Sequence, residues 1–107
     1  MGREFGVEHT IEDGLAVVRV RGEIDLMTAG ALRDELCAAV QAAPVVMVDM
    51  SGVGFLDSTG VRSLFDAYKC ASDVGHQLYV RDAQQWVAKV LDVTGVGRLL
   101  TPPATKM

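Results

Sequence analysis

Aromatic side chains are scarce in this chain: one Trp, two Tyr and three Phe among 107 residues, and the ten basic residues are scattered rather than clustered. With no basic run and no aromatic platform, a direct nucleic-acid binder is not expected, and the formal charge of -4 suits a partner with a basic face better. No apolar run approaches the roughly 20 residues of a membrane-spanning helix. The N-terminal stretch "MGREFGVEHT" has no apolar signal region, and Gly6 stands where a myristoylation motif requires Ser or Thr, so a cytoplasmic protein without membrane attachment is expected.

Phosphate loops of the G-x-x-x-x-G-K-S/T and G-x-G-x-x-G types are missing, as is the G-x-S-x-G elbow of hydrolases. The two histidines, His9 and His76, fall in a first strand and just after a helix, away from the serine discussed below, which argues against a Ser-His-Asp arrangement. No cofactor, metal site or catalytic residue is expected. Cys37 and Cys70 have neither the number nor the spacing of a metal site or disulfide framework, and two unrelated thiols in a reducing compartment is the favoured reading. Each lies about one position off the apolar stripe of its helix, so the two would flank a seam between those helices; a disulfide there needs Cα atoms about 4.4 to 6.8 Å apart.

What the chain does have is alternating strand and helix patterns, half of its residues being hydrophobic, enough for one domain spanning 1–107 with a core over about 5–100 and a frayed tail from 101 to 107. "FGVEHT" and "LAVVRVRG" flank the turn signal Asp13-Gly14 and predict a hairpin. Thr28 to Ala43 carries Leu32, Leu36, Ala39, Val40 and Ala43 on one helical face, with Thr28 as the expected cap and Pro44 as the stop. "VVMVDM", Val45 to Met50, reads as a buried central strand. Val61, Leu64, Phe65, Tyr68 and Ala71 mark a second helix ended by Gly75, and "QLYVR" a fourth strand. Ala83 to Val93 reads as a third helix with Val87, Val90 and Leu91 inward, and "GRLL" as a last short strand.

This order predicts an α/β fold with a mixed sheet of about five strands: an N-terminal hairpin, then parallel central strands joined by helical crossovers. In such a sheet the carboxyl ends of parallel strands gather on one edge, where ligands and partners dock. "GEID", Gly22 to Asp25, and "DSTG", Asp57 to Gly60, both leave strands there. Asp57 or Ser58 before "TGVRSLF" has the chemistry of a helix cap. Around it Ser51, Gly52, Gly54, Asp57, Ser58 and Gly60 crowd small and acidic residues into ten positions, a surface of low bulk that a partner backbone would approach closely.

The segments "GEIDLMTAGALRDEL", "VVMVDMSGVGFLDSTGVRSLFDAYKCASDVGHQLYV" and "VAKVLDVTGVGRLL" closely resemble the STAS family, in particular the stand-alone anti-sigma factor antagonists of bacteria, from about Phe5 to Leu100. The resemblance implies a non-enzymatic switch that binds an anti-sigma factor, itself a serine kinase of the histidine-kinase-like ATPase fold, and so frees a sigma factor; a PP2C-type phosphatase reverses its phosphorylation. It places the phosphoacceptor on Ser58, with Thr59 as runner-up, the motif acid on Asp57, the upstream acid on Asp25 and the motif glycine on Gly60. Partner binding is thus expected to involve Asp25, Asp57, Ser58, Thr59, Gly60 and Arg62. Arg62 departs from the glycine of many relatives, and its plainer role is a solvated helix residue; Ile24 replaces the common Leu at similar volume. STAS-like domains also serve as binding modules in stress-signalling, lipid-transport and anion-transport complexes, which is the alternative implication.

Overall fold

The computed structural model describes residues 4–102 and places a two-residue turn where the sequence breaks its first alternating run. Strands β1 (Gly6–Glu12) and β2 (Leu15–Ile24) pair antiparallel around Asp13 and Gly14, both at positive φ (55° and 81°), the conformation that matches the twist of a tight hairpin. Then follow α1 (Ala29–Ala42), β3 (Val45–Leu56), α2 (Ser58–Asp73), β4 (Gln77–Arg81), α3 (Gln85–Thr94) and the single turn α4 (Val96–Leu99). The sheet order is β1-β2-β3-β4, with β2, β3 and β4 mutually parallel as expected.

Among the described residues the strand count is four, not about five. "GRLL" does not form a strand: Gly95 adopts the left-handed conformation (φ 82°) that ends α3, and the next residues close a further turn in which Leu100 N–H donates to the carbonyls of Val96 and Gly97. One strand-like bond survives, Val80 N–H donating to Leu100 O at 2.8 Å on the outer edge of β4. The third helix begins at Gln85, two residues later than expected, because Asp82 takes a positive φ (59°) and breaks the chain direction. Of the predicted frayed tail, residues 103–107 lie outside the described residues.

β3 is twice as long as expected, and its middle explains why. Val46, Val48 and Met50 are fully buried, while Val45, Met47 and Asp49 on the opposite face are half-buried. The strand therefore packs one face into the core and leaves the other to a row of charges, Arg19, Asp49 and Arg81, in register across β2, β3 and β4. Past Met50, Ser51 to Phe55 stays paired with β2 through register irregularities near Arg21 and Gly22. The core side gathers Val18, Val20, Ile24, Leu32, Leu36, Val40, Leu64, Ala67, Val87 and Leu91 into one cluster. The α1 stripe is in keeping with the sequence, but in α2 Ala67 takes a core place the sequence did not give it, while Phe65 is only partly buried and stacks on Tyr68.

α1 and α2 pack side by side, and the expectation of two unrelated thiols is overturned at their seam: Cys37 and Cys70 are joined as a disulfide, with Cα atoms 5.9 Å apart. Their one-position offset from the apolar stripes turns both toward the neighbouring helix. The seam is also tied at its ends, by Ser63 Oγ donating to Ala29 O at 2.6 Å and by a 2.8 Å bond between His76 Nδ1 and Val40 O.

Candidate functional site at the strand ends

Two acid-bearing turns meet at the carboxyl edge of the sheet. β2 and β3 finish side by side, Ile24 opposite Leu56, and Asp57 N–H donates to Ile24 O at 3.2 Å, so Asp25 and Asp57 start neighbouring crossovers. The topology read from the sequence thus brings these two residues together.

In the first turn the polar atoms are spent on the chain itself. Asp25 O accepts from Thr28 N–H and Ala29 N–H, and Asp25 Oδ1 accepts from Met27 N–H at 3.0 Å. Thr28 stands at the expected cap position of α1, but its side chain does not cap the helix: the hydroxyl accepts from Asp25 N–H at 3.0 Å and donates back to Glu23 O at 2.9 Å. The helix start is held instead by the Asp25 carbonyl. This closed turn pushes Leu26 and Met27 outward, 76% and 87% exposed, with no place in the α1 stripe.

In the second turn Asp57 is the cap of α2, its Oδ1 accepting from Thr59 N–H (2.9 Å), Gly60 N–H (3.2 Å) and the Thr59 hydroxyl. The Thr59 hydroxyl foremost, with the two backbone N–H groups and against some desolvation, holds the Asp57 carboxyl below the usual carboxylate range. It is a committed anion and an unsuitable proton donor at neutral pH. Gly60 lies buried beneath the turn, where an added Cβ would meet the Leu56 Cδ1 and lie 2.7 Å from Ile24 Cγ2. The low bulk of this glycine serves the packing of α2 onto the strand ends.

Ser58 is the first residue of α2 and is exposed; among the described residues its hydroxyl has no hydrogen-bond partner. Every other hydroxyl of the two turns and of the first two turns of α2 is engaged: Thr28 with Glu23 O, Thr59 with Asp57, Ser63 with Ala29 O. Arg62 is solvent-exposed and pairs with Asp66 one turn along the helix at 3.1 Å, consistent with the plainer reading of that residue. Phe55, 40% exposed, adds to Leu26 and Met27, so three large apolar side chains stand on the segments that carry the two acids and Ser58. The sequence reading did not single these out; the available signal was a pair of long apolar residues just before a helix whose stripe starts only at Leu32.

The family model described as "Mlab, STAS domain" matches residues 8–101. The chain belongs to the STAS domain family. It is 26% identical over 102 residues to an anti-sigma F factor antagonist of Paenibacillus polymyxa, covering 94% of this chain and 86% of that one. Among solved structures, an anti-sigma factor antagonist from Mycobacterium paratuberculosis aligns with a TM-score of 0.75 at 30% identity, over 89% of this STAS domain and 81% of its own chain. The anti-sigma factor antagonist SpoIIAA in its unphosphorylated form shares the fold, with a TM-score of 0.75 at 21% identity over 96% and 90% of the two chains. The four-stranded sheet with its N-terminal hairpin agrees with that family fold.

Proposed function

We propose that this STAS domain is an anti-sigma factor antagonist that works by binding alone: its unphosphorylated form docks an anti-sigma factor serine kinase of the histidine-kinase-like ATPase fold through the strand-end surface, releasing a sigma factor. Phosphorylation of Ser58 by that kinase turns binding off, and a PP2C-type phosphatase restores it. The observation that carries this reading is the unengaged hydroxyl of Ser58, exposed at the start of a helix, beside hydroxyls that are all in use. A kinase needs an accessible oxygen that is not holding the fold together.

The same geometry suits an off switch. A phosphate adds about 1.5 to 2 negative charges at neutral pH. A helix N-terminus favours that charge by roughly 0.3 to 1 kcal/mol, but here the N–H groups of Thr59 and Gly60 already serve the Asp57 carboxylate. The phosphate therefore adds charge beside an anion rather than replacing one, while the folded core is untouched. A partner shaped to cover Leu26, Met27 and Phe55 around a neutral hydroxyl would have to desolvate a dianion, and each 1.4 kcal/mol of that penalty weakens binding about tenfold.

The test is incubation of the purified protein with its candidate kinase and ATP, followed by peptide mapping. Modification of Ser58 is the expected result; phosphate on Thr59, Ser51 or Ser63 with Ser58 unmodified would sink the assignment. A chain that no such kinase modifies or binds would instead be a STAS module of a stress-signalling or transport assembly.

A further inference from the structure

The α1–α2 seam holds chemistry that the proposed switch does not use. Three ties cross it in the same order along both crossovers: Ala29 with Ser63, Cys37 with Cys70, and Val40 with His76 just past the end of α2. The helices thus run parallel, and the sulfur tie sits about 12 Å along α1 from Ala29, at about 1.5 Å rise per residue. Both cysteines are half-buried and packed against the core rather than within it, so the core closes through Leu32, Leu36, Leu64 and Ala67 whether or not the sulfurs are bonded. Both remain open to a small thiol reagent.

We propose that Cys37 and Cys70 are a reversible redox staple between α1 and α2, an intramolecular dithiol and disulfide pair that changes the stability of the domain and not its fold. The Cα separation of 5.9 Å in the closed form lies within the range a disulfide needs, so the side-by-side packing of the two helices accommodates the bond. Closure proceeds by thiol–disulfide exchange with a small-molecule disulfide. One cysteine thiolate attacks it and expels a thiol; the second cysteine then attacks the mixed disulfide and expels the other. One S–S bond forms and one breaks, and the two electrons and two protons lost by Cys37 and Cys70 end on the two small thiols released. A small dithiol runs the sequence backwards. The bond links residues 33 apart, a loop for which the unfolded chain loses substantial entropy, and the closed form should melt about 10 °C or more above the open one. This inference stands independently of the role assigned to Ser58.

The experiment equilibrates the purified chain in glutathione mixtures of graded oxidised-to-reduced ratio, quenches with acid, alkylates free thiols and maps unreduced peptides, with melting followed in parallel by circular dichroism. The expected result is a monomer whose peptides around Cys37 and Cys70 become linked, with loss of both alkylation sites and a rise in Tm that reducing agent reverses. Cys37→Ser with Cys70→Ser should melt like the reduced wild type at every ratio. The wild-type titration decides the matter even if that double variant folds poorly. Alkylation of both thiols across the whole range, mixed disulfides that never close, links between chains, or a closed bond with Tm raised by less than about 2 °C would each overturn the staple.

Discussion

The two turns at the sheet edge are built from the same residue types and put them to opposite use. Before α1 an acid and a threonine close on each other and on the backbone, so the turn presents only the apolar pair Leu26 and Met27. Before α2 the acid caps the helix, the threonine supports the acid, and the serine between them is left with nothing to hold. A residue free of structural duty is the one that can be modified without cost to the fold.

The comparison breaks most severely from below. Gly60→Val should be the most destabilising change at this edge, by about 3 kcal/mol, because the new side chain collides with Ile24 and Leu56, both fully buried with no room to yield. Alanine is a weaker test, since its helix propensity offsets part of the clash. Thermal melts of the two variants would show it, and a Gly60→Val protein as stable as wild type would mean that α2 does not rest on the strand ends as described.

Next come the two acids. Asp57→Ala removes a cap and should cost about 1 kcal/mol, whereas Asp25→Ala loses an exposed bond from Met27 N–H at 3.0 Å and a long one from the Thr28 hydroxyl at 3.4 Å, whose stronger partner is Glu23 O, and should stay within about 0.5 kcal/mol of wild type. Urea unfolding of both decides the order, and a larger loss at Asp25 would reverse the comparison.

The Asp57 carboxyl sharpens it further through pH. Its value in the folded state lies below that in the unfolded chain, so its stabilising contribution is present above the unfolded value near about pH 4 and is lost as pH falls through the lower folded value. Asp49, lowered chiefly by the backbone N–H of Ser51 with help from Arg81 and Arg19, acts in the same direction. Denaturant midpoints measured below pH 4 should therefore fall less steeply in Asp57→Ala than in wild type, with the slope due to Asp49 remaining. Equal slopes would mean that the cap is not the bonded anion described.

Much of this was legible in the sequence, for reasons that can be named. Asp13-Gly14 announces its hairpin because few other residues accept two positive φ values in a row, and the α1 stripe ends where Pro44 forbids another turn. The edge was readable too, since parallel strands must bring Asp25 and Asp57 together. Harder to see was the second half of β3: "SGVG" has the composition of a loop and is a strand only because β2 bends to stay paired with it. Local composition likewise made "GRLL" strand-like, although Gly95 had already turned the chain. The idle hydroxyl of Ser58 was not visible at all, because which of several neighbouring hydroxyls is engaged depends on where carbonyls from other elements arrive, as Ala29 O does at Ser63.

The smallest effect on the fold should accompany the largest on binding. Ser58→Ala removes no bond and should leave stability within about 0.5 kcal/mol of wild type. The most direct measurement of the central claim is calorimetric affinity for the anti-sigma factor kinase of four forms, wild type, Ser58→Ala, Ser58→Asp and Ser58-phosphorylated protein, at two salt concentrations, with circular dichroism confirming that each is folded. The expected order is wild type and Ser58→Ala within a few-fold of each other, Ser58→Asp weaker, and the phosphorylated form weakest, with part of the loss recovered as the screening length shortens from about 8 Å at physiological ionic strength to about 3 Å at 1 M salt. Loss of binding in Ser58→Ala with binding kept in Ser58→Asp would contradict the claim that a neutral, unengaged hydroxyl is the on state.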